Sequence, residues 1–202
     1  MKSLLVVPWF YDFAQFVMRG TRYRRILAET HLQVAPGDRV LDIGCGTGAM
    51  LACLPETVPP VEYVGFDMSA DYLAAARSKW GARGEFHSLE LTPQTVADFG
   101  EFDWVLAIGL LHHLDDAAAV NLFTLAHRAL RHGGKMITLD GVFTESQSSL
   151  VKPLLRSDRG QHVRSEPAYR ALAHCAFPQV QTFVSDDLFR IPYTTLIMEC
   201  RP

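Results

Sequence analysis

The apolar run Val40-Leu41-Asp42-Ile43 passes straight into Gly44-Cys45-Gly46-Thr47-Gly48-Ala49, three glycines within five residues and an acid two positions ahead of them. No other segment restricts the fold as much. A buried strand that ends in closely spaced glycines and enters a helix is a nucleotide-type loop. Its glycines allow positive φ and close backbone approach, and the helix start offers N–H groups to a negative group. Such loops belong to alternating strand and helix patterns, and the rest of the chain alternates in that way. Strands are predicted at Arg39 to Ile43, Glu62 to Phe66, Glu85 to Leu89, Asp103 to Ile108 and Lys135 to Leu139, apolar enough to be buried. Helices are predicted between them at Gly48 to Leu54, Ser69 to Trp80, Pro93 to Phe99 and Asp116 to Arg131. Ser69 is the expected N-cap of the second, and Gly133-Gly134 the expected stop of the last. The fold class is α/β, a mostly parallel sheet with helices on both faces.

Residues 11 to 31 carry Phe13, Phe16, Val17, Tyr23, Ile26 and Leu27 at helical recurrence, with an interruption at Gly20 and the breaker Pro36-Gly37 behind them. Residues 142 to 165 show no period, which suits a functional lid or binding loop, the plainer alternative being a connector. A helix near Glu166 to Cys175 follows, then strands at Val180 to Val184 and Thr194 to Cys200, which must pair as a hairpin because no helix separates them. The 202 residues, 49% of them hydrophobic, fit one domain with a sizeable core and exclude disorder. Its expected parts are a helical cover over 1–35, a cofactor-binding core over 36–141, a substrate lid over 142–165 and a C-terminal helix with hairpin over 166–202.

Nineteen Lys and Arg against 22 Asp and Glu leave a net charge of −3, so no field gathers the phosphates of a nucleic acid. Cys45, Cys53, Cys175 and Cys200 form no C-x-x-C pair and are expected to be reduced, in a cytoplasmic protein. Leu4 to Val7 is too short for a signal h-region or a membrane span, and no membrane partner is expected. Monomer and homodimer both stay open.

Gly44-x-Gly46-x-x-Ala49 also meets the relaxed dinucleotide fingerprint, with Asp67 twenty-three residues after Gly44, so a nicotinamide cofactor has to be weighed. Asp42 weighs against it, because a carboxylate beside a pyrophosphate repels it. A cationic ligand suits that acid. S-adenosylmethionine carries an ammonium and a sulfonium near its carboxylate, and a glycine backbone plus one acid is complementary to that end.

The residues resemble the class I S-adenosylmethionine-dependent methyltransferases through VLDIGCGTG (Val40 to Gly48) and VGFDMS (Val64 to Ser69). FDWVLAIGLLHHLDD (Phe102 to Asp116) is similar to that family's fourth-strand segment, and RALRHGGKMITLDG (Arg128 to Gly141) to its helix, Gly-Gly turn and fifth strand. The resemblance covers about residues 36 to 141. It implies a seven-stranded sheet with the last strand antiparallel. It implies that Asp42, Gly44, Cys45, Gly46 and Gly48 hold the methionine portion of S-adenosyl-L-methionine and that Asp67 takes both ribose hydroxyls. Met68 would pack on the adenine, Glu90 would read its amino group, and Ile108 would line the same site. Leu89-Glu90-Leu91 departs from the family's common Gly-Asp-Ala.

A methyl on sulfonium is already electrophilic, so the protein has to align a nucleophile, exclude water and remove a proton where the acceptor carries one. His112 and His113 stand at the end of the fourth strand, where the family places the methyl group. An imidazole suits a hydroxyl or ammonium acceptor near neutral pH. His113 is the expected base, with Tyr11 as its partner by resemblance to phosphoethanolamine-type enzymes, and His112 is an expected substrate contact. The same histidines would serve equally to cap backbone or stack on the cofactor. In the lid, Arg156, Arg159, His162 and Arg164 make a basic bias amid an acidic chain. Arg159, His162 and Arg164, with Tyr193, are the expected contacts for an anionic substrate, a solvated ion-paired face being the equal alternative. Asp115, Asp116 and Asp140 fit a metal site poorly, and no metal is expected. The expected function is methyl transfer to an oxygen, or nitrogen, of a small molecule, releasing S-adenosyl-L-homocysteine. The alternatives are an NAD(P)-dependent oxidoreductase and a non-catalytic S-adenosylmethionine-binding partner subunit.

Overall fold

The computed structural model describes residues 22–145, 147, 161–189 and 193–202. Tyr11, Arg156 and Arg159, the part of the predicted helix before residue 22 and most of the 142–165 segment lie outside the described residues.

Eight strands join one sheet: β1 (Arg39–Ile43), β2 (Glu62–Phe66), β3 (Glu85–His87), β4 (Phe102–Ile108), β5 (Leu130–Phe143), β6 (Arg164–Ser165), β7 (Gln179–Ser185) and β8 (Thr195–Arg201). Seven run in the order β3-β2-β1-β4-β5-β8-β7, and the two-residue β6 pairs with β5 off that path. β1 to β5 are parallel, β8 lies antiparallel to β5, and β7 and β8 form the expected antiparallel pair.

Among the described residues five helices cover the sheet: α1 (Arg22–Thr30), α2 (Ala70–Trp80), α3 (Pro93–Phe99), α4 (Asp116–Ala129) and α5 (Glu166–His174). Because side chains alternate along a strand, each central strand feeds two cores. Val105, Ala107, Met136 and Met198 join Val96, Phe123 and Tyr169 of α3, α4 and α5 on one face. Trp104, Leu106, Ile137 and Ile197 join Tyr23, Leu27 and Leu73 of α1 and α2 on the other. Local chemistry sets the helix starts. The Ser69 hydroxyl accepts from the Tyr72 N–H at 3.3 Å, and the Asp115 carboxylate from the Ala118 N–H at 2.8 Å. The chain runs outward from β1 through β2 to β3, then returns to β4 on the other side of β1. That reversal opens a crevice at the carboxyl ends of β1 and β4, where ligands bind in open α/β sheets.

Four predicted elements differ. The strand expected over Lys135 to Leu139 runs instead from Leu130 to Phe143. The helix expected over Gly48 to Leu54 is a five-residue 3-10 turn, Ala49–Cys53. Gly48 starts it in a left-handed conformation with no side-chain cap, and Pro55 follows too soon for an α-helix to propagate. The helix expected to reach Arg131 stops at Ala129, and Gly133-Gly134 lies within β5 instead of closing the helix. There β5 bulges against β4, between Phe102 opposite Leu130 and Trp104 opposite Lys135. A Cβ on Gly134 would sit 2.9 Å from the Asp103 carbonyl, so the pair permits a close backbone crossing. β3 ends at His87, not Leu89, where its carbonyl accepts from the Asp67 N–H at 3.2 Å.

Candidate functional site

The glycine loop after β1 is folded back onto the end of β2. Gly44, Gly46 and Gly48 have φ of 74°, 55° and 68°, and the N–H groups of Gly44 and Cys45 both donate to the Phe66 carbonyl at 2.8 and 3.0 Å. Gly48 is required twice over, by its φ and because a Cβ there would come within 2.8 Å of the Phe86 ring and 2.9 Å of Trp80. Gly46 is the opposite case: nothing lies within 4 Å of where its Cβ would point, so its backbone faces open space. Cys45 is buried, its sulfur packed against Gly65. Burial, then the charges of Asp42 and Asp67, push its thiol up, so it stays protonated and unreactive.

Two acids frame the loop. The Asp67 carboxylate accepts from the Gly46 N–H through one oxygen and from the Ser69 N–H through the other, both at 2.8 Å. It thereby ties the turn after β1 to the turn after β2. Asp42 is buried inside β1, where the Tyr63 hydroxyl donates to Oδ2 at 2.5 Å. Desolvation raises its pKa from the ordinary 3.8 to about 6, with the Tyr63 hydrogen bond and the Arg24 charge pulling the other way. Desolvation also raises the Tyr63 phenol, which keeps its proton and stays the donor.

Beside the loop lies a cleft of about 330 Å³ that brings together Gly44, Asp67, Met68 and Glu90 with the apolar walls Ile43, Phe66, Leu89, Leu91 and Leu110. Met68 is 75% exposed at its edge. An apolar slot with two acids, Asp67 and Glu90, in its lining suits a flat ring carrying hydroxyls. A larger hollow, about 510 Å³, opens at the opposite end of the sheet, lined by Arg39, Glu62 and Glu85 at the starts of β1, β2 and β3. Neither Asp42, Asp67 nor the histidines line it, and its charged walls close on one another through the Arg39–Glu62 and Arg83–Glu56 ion pairs.

Past Ile108, the half-buried last residue of β4, a single 3-10 turn, Leu111–His113, carries both histidines. His112 is buried and His113 exposed, their rings 4.1 Å apart. One Asp140 oxygen accepts from the His112 N–H at 3.1 Å and meets its Nδ1 at 2.7 Å. Asp140 sits in β5, and burial raises its carboxyl pKa despite the bonds from His112 that lower it. The His112 Cε1 lies 3.8 Å from the Cβ position of Gly109, so the ring stands at the carboxyl end of β4.

The lid residues divide. The His162 N–H donates to the His112 carbonyl at 3.0 Å. Arg164, expected to reach an anion, is turned inward: its side chain is 9% exposed and bonded to Asp116 and to main-chain carbonyls. Tyr193 packs edge-on to Phe189 at 5.4 Å, and Phe189 packs on Tyr23 at 4.9 Å, an aromatic group leading to the start of β8.

Tyr63 and Asp140 were not among the expected ligand contacts. Asp140 carried a local signal, since Val40-Leu41-Asp42, Gly65-Phe66-Asp67 and Thr138-Leu139-Asp140 are three apolar strands that each run into an acid.

A family model described as "Methyltransferase domain" matches residues 40–134. The chain is 35% identical over 122 residues to a demethylmenaquinone methyltransferase of Thermus thermophilus, an alignment covering 59% of this chain and 54% of that one. It is 27% identical over 187 residues to a demethylmenaquinone methyltransferase of Chlorobaculum parvum, covering 86% and 76%. The first curated relatives are longer: the match spans 20% of an uncharacterized Synechococcus protein and about half of the Thermus protein. Among solved structures, the pyocyanin biosynthetic protein PhzM superposes with a TM-score of 0.71 at 17% identity, over 99% of this chain and 60% of that one. Mitomycin 7-O-methyltransferase MmcR superposes with 0.69 at 16% identity, over 91% and 54%. At that identity the superpositions concern the fold alone.

Proposed function

We propose that this chain is a class I S-adenosylmethionine-dependent methyltransferase and transfers a methyl group from S-adenosyl-L-methionine to an oxygen, or a nitrogen, of a small-molecule acceptor. The observation that carries the reading is the buried His112–Asp140 pair at the carboxyl end of β4, beside the crevice framed by the glycine loop and Asp67. The residues around that crevice fit the cofactor. Asp42 offers a buried charge near the loop to an ammonium, Asp67 offers its carboxylate to ribose hydroxyls, and Met68 and Leu110 offer apolar surface to adenine. Gly46 leaves room for the methionine end.

When bound, that cofactor supplies an electrophilic methyl group, and the work left to the chain is alignment, exclusion of water and removal of a proton. Asp140 accepts the His112 Nδ1–H, which leaves the lone pair on Nε2 to take the acceptor's proton. The positive imidazolium so formed is stabilised by the same carboxylate. The base expected at His113 is in this reading His112, because His112 is the imidazole that a buried carboxylate orients. His113 lies beside it at the surface, the two rings tilted to one another. Support for an anionic acceptor rests with Arg159, outside the described residues, since Arg164 is bonded inward. Among the described residues no helix is long and apolar enough to cross a membrane, and the four cysteines are free.

Calorimetric titration with S-adenosyl-L-homocysteine, with NADH as the contrast, tests the cofactor; turnover of a panel of hydroxylated and amino acceptors tests the reaction. Homocysteine-product binding that Asp67→Ala abolishes is expected. On an accepted substrate, His112→Gln is expected to lower kcat on the order of 100-fold or more with little change in product affinity, and His113→Gln much less. Binding of NADH alone would overturn the reading.

A further inference from the structure

The Arg164 side chain, 9% exposed, directs its guanidinium at acceptors of the protein itself. Nε donates to Asp116 Oδ1 at 2.9 Å, and Nη2 reaches the same oxygen at 2.8 Å. Nη1 donates to the carbonyls of Leu111 at 3.1 Å and His162 at 2.9 Å, and Nη2 to the carbonyl of Leu114 at 2.6 Å. Its guanidinium carbon lies 5.5 Å from the centroid of the Tyr169 ring. Two of the three carbonyls it holds, Leu111 and Leu114, bracket His112 and His113.

A 3-10 turn of three residues cannot satisfy its own carbonyls, and by itself it is too short to hold a conformation. The turn after β4 is therefore fixed from outside, at three points. Asp140 holds the His112 N–H and ring, the His162 N–H holds the His112 carbonyl, and Arg164 holds the carbonyls on either side. The backbone of Arg164 is itself anchored, because β6 pairs Arg164 with Val142, two residues beyond Asp140 on β5. The carboxylate that orients the imidazole and the guanidinium that holds its turn thus share one strand as their base.

We propose that Arg164 is a positioning residue for His112: by bridging Leu111, Leu114, His162 and Asp116 it sets the imidazole edge toward the acceptor. This rests on the reading of His112 as proton acceptor. A planar fork is needed, since four acceptors lie around the guanidinium in fixed directions and an ammonium cannot reach all of them from one point. The positive charge is already met by Asp116, and the guanidinium is directed at acceptors of the protein rather than at a substrate anion.

The test uses the full chain saturated with S-adenosyl-L-homocysteine, comparing wild type with Arg164→Met, Arg164→Lys and the milder Asp116→Asn. The His112 ring nitrogens, assigned by their loss in His112→Gln, are read by nitrogen NMR, which needs no acceptor. Wild type is expected to show one tautomer, protonated on Nδ1. Arg164→Met is expected to show exchange between tautomers, with product affinity within about threefold of wild type. With an acceptor, kcat is expected to fall on the order of 100-fold at nearly constant KM, in line with a misplacement of about 1 Å. Arg164→Lys should recover part of that loss, and Asp116→Asn should lose less than either. Should Arg164→Met fail to fold, the other two variants carry the same readouts. A raised KM with kcat retained would overturn the proposal in favour of an anion contact. An unaltered His112 spectrum in every folded variant would overturn it in favour of a packing role. Absence of turnover in wild type would sink the methyltransferase reading while the tautomer measurement still decides whether Arg164 sets the ring.

Discussion

Replacing Asp42 by Asn separates the cost of a buried charge from its use. The carboxyl goes from 3.8 to about 6 on folding, a little over two pKa units. At about 1.4 kcal/mol per unit, the ionised form destabilises the ligand-free fold by about 3 kcal/mol. The sign follows from proton binding. The folded chain holds this proton more tightly than the unfolded one, so the stabilisation from Asp42 is complete below pH 4, erodes between pH 4 and 6 and is gone above that. Asparagine carries no charge to desolvate and still presents an oxygen to the Tyr63 hydroxyl. Asp42→Asn should therefore raise Tm at pH 8 by several degrees, with about 2–4 °C per kcal/mol for a chain of this size, and by only about a third as much at pH 4.5. The same variant should bind S-adenosyl-L-homocysteine more weakly at pH 8, having no charge for the ammonium. In wild type the ammonium pulls the raised pKa down, so affinity should increase from pH 5 to pH 7 with release of a proton. Calorimetry in buffers of different ionisation heat measures that release. Equal melting differences at both pH values, or no proton release near pH 6, would refute the reasoning.

Two other outcomes follow from packing and charge. Gly48→Ala forces a Cβ into Phe86 and Trp80 at a positive φ, and should cost about 2–4 kcal/mol in denaturant unfolding along with most of the product affinity. Glu199 is partly desolvated, which raises its pKa, but bonds from His31 at 2.8 Å and Lys135 at 3.2 Å outweigh this and hold it below the ordinary value. Its contribution is present above the usual glutamate pKa and lost as pH falls below it. Glu199→Gln should thus cost about 1–2 kcal/mol at pH 7 and much less at pH 3.5 in parallel melts.

Strands β1 and β2 could be read to the residue because their apolar runs are bounded by charged and glycine positions. The stop of α4 could not, because Gly133-Gly134 has the same local appearance as a helix terminator and as a bulge at a strand crossing; only the β4–β5 register decides. The glycine loop and Asp67 were legible because their chemistry is local, a few residues on either side of a strand end. The His112–Asp140 contact spans 28 residues and exists because Ile108 aligns with Leu139 across the parallel pair, which no spacing in the chain encodes. Arg164 reaches Asp116 across 48 residues by the same kind of long-range pairing, so its charge read as available when it is internally bonded.

The position of β8 between β5 and β7 has a consequence for biosynthesis. A ribosome delivers β7 before the strand that links it to the sheet, and until β8 emerges the long apolar β5 is an open edge on an otherwise assembled parallel layer. Edges of that kind recruit other chains. The nascent protein is therefore most exposed to mispairing after β1 to β5 have been synthesised, and that exposure ends only when Thr195–Arg201 takes its interior place.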